Sequence, residues 1–408
     1  MKTLEHNVTV FDRIMSQGKS SNMLETVKNN PHRKYLYVVP LLSEIERVQS
    51  ALPYFVTPTN RNRDGRKHSH LLEILSRGEN VVTTHSLFRM LHIEDLSILK
   101  DYVLILDEVV NVIEPLQVSE DDSKLLFNTD YPILSRNDDN TLNVIKDDYR
   151  GKHIAEIEVI KAGRITYQSD TSFIWMYDPD IFRAFDKIIV LTFRFQNSIL
   201  DYYFRINNFN DVEITYSDRE DFLVRKTGNL INLFEPKNKD SNKGNYNWIG
   251  SGLSFNWYKN ADKKDIAKIS NKVRSYFRRC KAPSNKTLYT TFSDYENDVK
   301  PKGFSEFLSH NAKAMNQHGD KTTLAYTVNR FLNPYLVRFI QNKGIEVNQD
   351  DWALSELIQW IYRGSIRRGK PMNLLIMSER MRNLYKAWID ASQLKNVDNI
   401  ITFGSGKK

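Results

Sequence analysis

The chain has 408 residues, 40% of them hydrophobic and 12% aromatic, with a formal net charge of +8. This length accommodates two or three domains with full cores, and the composition excludes a disordered chain. No run approaches the roughly 18 consecutive apolar residues needed to span a bilayer, so no membrane association is expected. Met1 to Asn7 is polar and leads directly into an apolar run, without the pattern of a signal peptide. The single cysteine, Cys280, cannot form an internal disulfide, and no Cys/His cluster has metal-ligand spacing. A reducing cytoplasm is the expected compartment, with no zinc centre. The positive charge is uneven: residues 351–408 hold ten Lys/Arg against five Asp/Glu. Such a local excess suits a polyanion, nucleic acid or nucleotide, as well as a plain solvated face.

Val8, Val10 and Phe11 predict a first strand. It feeds a polar loop running from Arg13 through Gly18-Lys19-Ser20 to Ser21, and Ser21 to Lys28 is compatible with a helix. This strand, loop and helix order is that of a phosphate-binding loop. Backbone groups of Ser16, Gln17, Gly18, Lys19, Ser20 and Ser21 would meet phosphates, Lys19 would reach the outer ones, and the Ser20 hydroxyl would ligate Mg2+. Arg13 stands where the pattern G-x-x-x-x-G-K-[ST] has its first glycine.

A β-rich run from Lys34 to Pro40 follows, then a helix from Leu41 to Ser50 with Ile45 and Val48 inward, and a basic loop from Thr57 to His70. A helix from Ser69 to Arg77 precedes a strand from Asn80 to His85 that ends in Thr84 and His85. Tyr102 to Leu106 is almost wholly apolar and runs into Asp107-Glu108. A buried strand delivering two carboxylates at its C-terminal end suits a metal-holding acid, Asp107, and a general base, Glu108. Residues 117–170 are mixed and charged and read as an insertion. Lys187 to Leu191 is a further strand ending in Thr192, followed by a helix from Ile199 to Phe204 and a strand from Val212 to Tyr216. The alternation predicts a parallel, doubly wound sheet over residues 1–216.

Residues 217–275 change character and read as a linker or insertion, with an exposed loop from Asn238 to Asn247. Trp248, Phe255, Trp257 and Tyr258 lie beside Lys259, Lys263 and Lys264, a composition that serves either base stacking or interdomain packing. Over residues 276–408 a second alternating series has strands at Lys286 to Thr291, Phe304 to Leu308, Thr322 to Val328 and Met372 to Met377. Helices are expected over Asn333 to Asn342 and Trp352 to Arg368. In the latter, Gln359, Arg363 and Arg367 are four apart and would share one helix face. Two guanidiniums beside an amide suit a γ-phosphate whose charge is stabilised in a transition state.

Taken together, these motifs resemble those of a superfamily 2 helicase of the DEAD/DEAH-like class, closest to compact helicase-like ATPases of bacteriophages and prophages. Gly18-Lys19-Ser20 corresponds to motif I, the run from Val39 to Leu42 to the start of motif Ia, and Asp107-Glu108-Val109-Val110 to motif II. Leu191-Thr192-Phe193 is similar to motif III, Asn311 to Asn316 falls near motif V, and Gln359 to Arg367 looks like motif VI. The resemblance implies an α/β fold of two tandem RecA-like P-loop NTPase domains with parallel β-sheets and an ATP cleft between them. It implies ATP and Mg2+ as cofactors, and ATP-driven unwinding of or translocation on nucleic acid, DNA ahead of RNA, in phage replication, recombination or repair. Other phage replication proteins would be partners. Lys19, Glu108, Gln359, Arg363 and Arg367 would be catalytic, and Ser20 and Asp107 would hold the metal. Thr84, His85, Thr192 and Asn311 would contact the strand or couple hydrolysis to it. Arg367 and Arg368 compete for the second arginine of motif VI. Two alternatives stand beside this one: a phage terminase-type packaging motor, and a catalytically degenerate nucleic-acid-binding adaptor.

Overall fold

Each strand that the apolar runs of the first half predict is present in the computed structural model of the chain. It describes residues 8–61, 65–128, 130–138, 140–146, 148–151, 157, 163–169, 171–236, 246–312 and 317–404. Strands β1 (Val8–Asp12), β2 (Lys34–Val39), β3 (Val81–Thr84) and β4 (Tyr102–Asp107) come first. Next come five short strands, β5 (Ile113–Gln117), β6 (Leu134–Arg136), β7 (Leu142–Val144), β8 (Gly163–Ser169) and β9 (Ser172–Tyr177). Strands β10 (Lys187–Thr192) and β11 (Val212–Thr215) complete the series. One six-stranded sheet has the order β11-β1-β10-β4-β2-β3, every neighbouring pair parallel. Within the stretch read as an insertion, β6 and β7 pair antiparallel, and β8 joins the flanking strands β5 and β9 in a small antiparallel sheet, β5-β9-β8.

The chain divides into two units: residues 1–13, 18–215 and 332–348 form the first, and residues 14–17, 216–331 and 349–408 the second. In the first, helices α1 (Lys19–Lys28) and α2 (Leu42–Ala51) cover the sheet, whereas α3 (Lys67–Ser76) follows the basic loop. Met23, Leu24 and Val27 of α1 and Ile45 and Val48 of α2 close over Tyr37, Val39, Ile105 and Leu191. Burying each large aliphatic side chain stabilises the unit by about 1.5–3 kcal/mol. A helix from later in the chain, Pro334–Asn342, belongs to this unit as well. Asn333 caps it by accepting from the Tyr335 N–H at 2.9 Å, proline occupies its first turn, and it buries Leu336, Phe339 and Ile340. It packs on β5 and β9, and the Asn348 N–H donates to the Tyr202 hydroxyl at 2.8 Å.

In the second unit, β12 (Ile231–Leu233), β13 (Thr287–Thr290), β14 (Thr323–Tyr326) and β15 (Met372–Ile376) form a parallel sheet in the order β12-β15-β14-β13. Strand β12 lies within residues 217–275, which also hold the helices Glu220–Leu230 and Phe255–Asn260 and the start of Lys263–Arg279. Tyr258 is buried against Phe292 and Tyr295, with ring centroids at 5.5 and 5.0 Å, so packing is its role. Two expected elements differ. Phe304 to Leu308 makes only a single bridge, Phe307 to Tyr289, because Pro301 and Gly303 turn the chain just before it. The helix expected over Trp352 to Arg368 is Gln349–Ile361, followed by a turn and a separate 3-10 helix, Ser365–Arg368. Gly364 explains the break. A Cβ there would meet Met372 Sδ at 2.8 Å and Leu324 Cδ2 at 3.0 Å, and the next N–H donates out of the helix to the Lys321 carbonyl. No helix of the described residues is long and apolar enough to cross a membrane.

Candidate functional site

The C-terminal ends of β1, β4 and β10 lie side by side, since Asp12 is in register with Thr192 and Leu191 with Asp107. In open α/β sheets this edge is where ligands bind. The loop after β1 enters α1 through Gly18, whose φ of 71° is left-handed, and Ser16 is also left-handed at 64°. Glycine takes that conformation without the Cβ clash other residues suffer. The α1 N-terminus therefore follows a turn that opens its first N–H groups, and its first turn holds no acidic residue.

Lys19 and Ser20 lead α1. Lys19 Nζ donates to the Arg13 carbonyl at 2.5 Å and the Thr192 carbonyl at 2.8 Å, tying the loop to the end of β10. The Arg13 guanidinium lies 5.4 Å from the centroid of the Phe11 ring. The Ser20 hydroxyl donates to Asp107 Oδ1 at 2.9 Å, joining two motifs 87 residues apart. These are hard oxygen donors of the kind Mg2+ takes, which usually has few protein ligands alongside water and phosphate. The residues thus fit that ion.

The other oxygen of Asp107 is held by residues that the sequence did not single out. Asp107 Oδ2 accepts from the Tyr37 hydroxyl at 3.2 Å and from Arg47 Nη2 at 2.9 Å, and Arg47 Nε donates to Glu44 at 2.6 Å. Burial, followed by the Asp107 charge, raises the Tyr37 hydroxyl well above its ordinary pKa, so it stays a donor at neutral pH. Replacing Arg47 with alanine is expected to destabilise the first unit by about 1–2 kcal/mol in urea unfolding, between the values for exposed and buried ion pairs. Lysine should restore only part of this, because one ammonium cannot bridge Glu44 and Asp107 as a planar guanidinium does.

Next to Asp107, Glu108 has a φ of 73°, and its N–H donates to the Leu191 carbonyl at 2.9 Å. Asp12, also missed in the sequence, accepts from the Arg194 and Phe195 N–H groups at 2.7 and 2.8 Å. It thereby fixes the turn after Thr192. Burial raises its pKa, and the two backbone bonds, Lys19 and Arg194 oppose the rise. Its position as an acid closing a buried strand repeats that of Asp107 and was a usable signal; nothing local marked Tyr37. Thr84 caps the short helix His85–Phe88, accepting from Leu87 N–H at 3.4 Å, and His85 Nε2 lies 3.3 Å from the Asp107 carbonyl.

The remaining expected residues belong to the second unit. Gln359 donates to the Ser355 hydroxyl at 3.1 Å within its helix. Arg363 is buried in the turn beyond and donates to the Ala312 carbonyl at 3.4 Å, and Arg367 is on the 3-10 helix. These three do not share one helix face. Asn311 accepts from Ser309 Oγ at 2.6 Å; residues 313–316 lie outside the described residues. Beside Asn311, buried His310 contacts the Thr291 carbonyl through Nδ1 at 3.2 Å and Arg330 through Nε2 at 2.5 Å. Burial, followed by the Arg330 charge, pushes its pKa down to about 3. The unfolded imidazole takes up a proton below about pH 6.5, whereas the folded one does not until about pH 3. Stability present above pH 6.5 is therefore lost as pH falls. His310→Gln should remove up to about 1.4 kcal/mol per pH unit of that slope between pH 6 and 4, measured by urea titrations of both proteins.

Two parallel-sheet units define the class of the chain: an α/β protein with two tandem RecA-like domains. Residues 225–389 match the family model described as the YonV C-terminal Rossmann-like domain. Over 411 residues the chain is 29% identical to the SPbeta prophage-derived uncharacterized protein YonV of Bacillus subtilis (strain 168), covering 94% of this chain and 98% of that one. Among solved structures, S. tokodaii Xpd4 superposes with a TM-score of 0.50 at 10% identity, covering 94% of this chain and 93% of its own. More distant are Mss116p bound to ssRNA and AMP-PNP, and RecG bound to a three-way DNA junction, at TM-scores of 0.41 and 0.37 and 10% identity. Each covers 95% of this chain, and the superpositions span 70% and 43% of those proteins.

Proposed function

We propose that the chain is an ATP-dependent nucleic-acid helicase or translocase of the superfamily 2 type, acting on phage DNA in replication, recombination or repair. The observation that carries this reading is the 2.9 Å hydrogen bond from Ser20 to Asp107 beside the left-handed turn at Gly18. It supports a phosphate-binding helix end and an acid-bearing strand end acting as one site. In this reading Lys19 and the α1 N-terminus bind the phosphates, and Ser20 with Asp107 holds Mg2+. The metal supplies charge neutralisation on the phosphate oxygens. Glu108 accepts a proton from the attacking water, and Tyr37 and Arg47 orient Asp107. Thr192 is suited to couple the site to a bound strand, because its carbonyl holds Lys19.

The test is ATP hydrolysis by the full chain, with and without single-stranded DNA, duplex DNA, forked DNA and RNA. Turnover stimulated at least several-fold by one of these supports the proposal. Tight ATP binding with no turnover under saturating DNA and RNA would replace it with the adaptor reading.

A further inference from the structure

The helix Lys263–Arg279 has two faces of opposite chemistry. Ile266, Ile269, Val273, Tyr276 and Phe277 are buried on one side. At 100° per residue the opposite arc holds Arg274, Ala267, Arg278, Asn271, Lys264, Ser275, Lys268, Arg279 and Lys272, in that angular order. Six of these nine residues are basic and none is acidic. The small side chains Ala267, Asn271 and Ser275 are exposed between the longer cations, so the arc is a shallow trough walled by positive charge. Its nearest carboxylate in the helix, Asp265, is paired with Lys268 at 2.6 Å. Among the described residues, Lys264, Arg274 and Arg278 have no ion-pair partner. On one flank Ser270 donates to the Lys300 carbonyl at 2.9 Å and the short helix Glu296–Val299 packs alongside. Its Glu296 and Asp298 are followed by Lys300 and Lys302, so that flank adds no net charge. Lys272 Nζ lies 4.1 Å from the Trp248 ring centroid, which fixes one end of the arc against an aromatic.

We infer that this face is a binding track for the phosphate backbone of nucleic acid. The inference rests on the nucleic-acid part of the proposed function and adds a surface that none of the helicase motifs contains. Lys264 to Arg279 spans about 22 Å at 1.5 Å per residue. That is the length of about six phosphates at the 3.4 Å spacing of one strand in a duplex. Side chains contacting the backbone in this way position a strand without reading its sequence. A membrane surface is a poor fit, because the apolar face that would enter lipid is already buried in the core. An acidic polypeptide is the competing occupant, and the experiment separates the two.

The full chain and its Lys264→Gln/Arg278→Gln variant are titrated with a fluorescent single-stranded oligonucleotide by anisotropy at several salt concentrations. Two lost phosphate contacts should lower the slope of log K against log salt by about 1.4, since each contact contributes about 0.7 on a single strand. ATP binding, measured separately, should be unchanged in the variant. Asn271→Glu leaves every cation in place and puts a carboxylate in the middle of the trough. It should weaken oligonucleotide binding on the order of tenfold at low salt, and less as salt rises. An unchanged slope in the double variant, with salt-sensitive binding by the original protein, overturns the inference and leaves the proposed function standing. The same result accompanied by lost binding to poly-glutamate also overturns it and assigns the face to an acidic protein. Failure of the original protein to bind any nucleic acid overturns both the inference and the substrate of the proposed function.

Discussion

Lys19→Ala is expected to weaken ATP binding by about 10- to 100-fold, the loss of charge-assisted hydrogen bonds worth about 1.5–3 kcal/mol. The ammonium is held by the Arg13 and Thr192 carbonyls at 2.5 and 2.8 Å, at the end of the loop that the proposed function assigns to phosphate. Little ordering of a long side chain then remains for binding itself to achieve. Titration with a fluorescent ATP analogue in Mg2+ measures the effect. A variant that binds as tightly as the original protein would remove the phosphate site from the proposal. Because the same ammonium ties the β1 loop to β10, thermal unfolding of the variant should be recorded alongside, so that a loss of fold is not read as a loss of ligand contact.

Glu108→Gln is expected to give the complementary result, with ATP binding kept within a few-fold and turnover reduced by about 10²–10⁴, the usual contribution of a general base. The substitution keeps the shape of the side chain and removes its capacity to take a proton. Glu108 occupies a left-handed backbone conformation at φ 73°, which costs a non-glycine residue about 1–2 kcal/mol. The bond from its N–H to the Leu191 carbonyl holds it there and sets the direction in which the side chain leaves the strand end. Single-turnover hydrolysis in saturating nucleic acid measures the change, and turnover equal to that of the original protein would assign the base elsewhere.

The sheet of the first unit and strands β13, β14 and β15 of the second were legible because a parallel strand buried on both faces needs a run of apolar residues, and Tyr102 to Leu106 or Lys187 to Leu191 fits little else; β12 fell in the stretch read as a linker or insertion. Asp107 was legible for the same reason, as the acid ending such a run. The order of strands was not, since the placement of β4 between β10 and β2 depends on pairings far apart in the chain. Arg47 could be paired with Glu44 from their helical spacing, but its second partner, Asp107, is 60 residues away. The reading of Gln359, Arg363 and Arg367 as one helix face failed at Gly364. Spacing by fours is a helical signal only while the helix continues, and close approach to β14 and β15 stops it there. The glycine was visible; the packing that requires it was not.

The helix Pro334–Asn342 has a consequence for how the molecule is made. It covers β5 and β9 of the first unit, yet it is encoded after more than a hundred residues of the second. On the ribosome, the first 215 residues emerge with that patch bare and must wait while residues 216–331 are translated. A nascent chain arrested before residue 334 should therefore expose an apolar surface that the finished protein does not, and a chaperone or a hydrophobic dye would find it there. By the same logic, no single cut releases the first unit whole, because its last segment, residues 332–348, is separated from the rest by residues 216–331 of its neighbour.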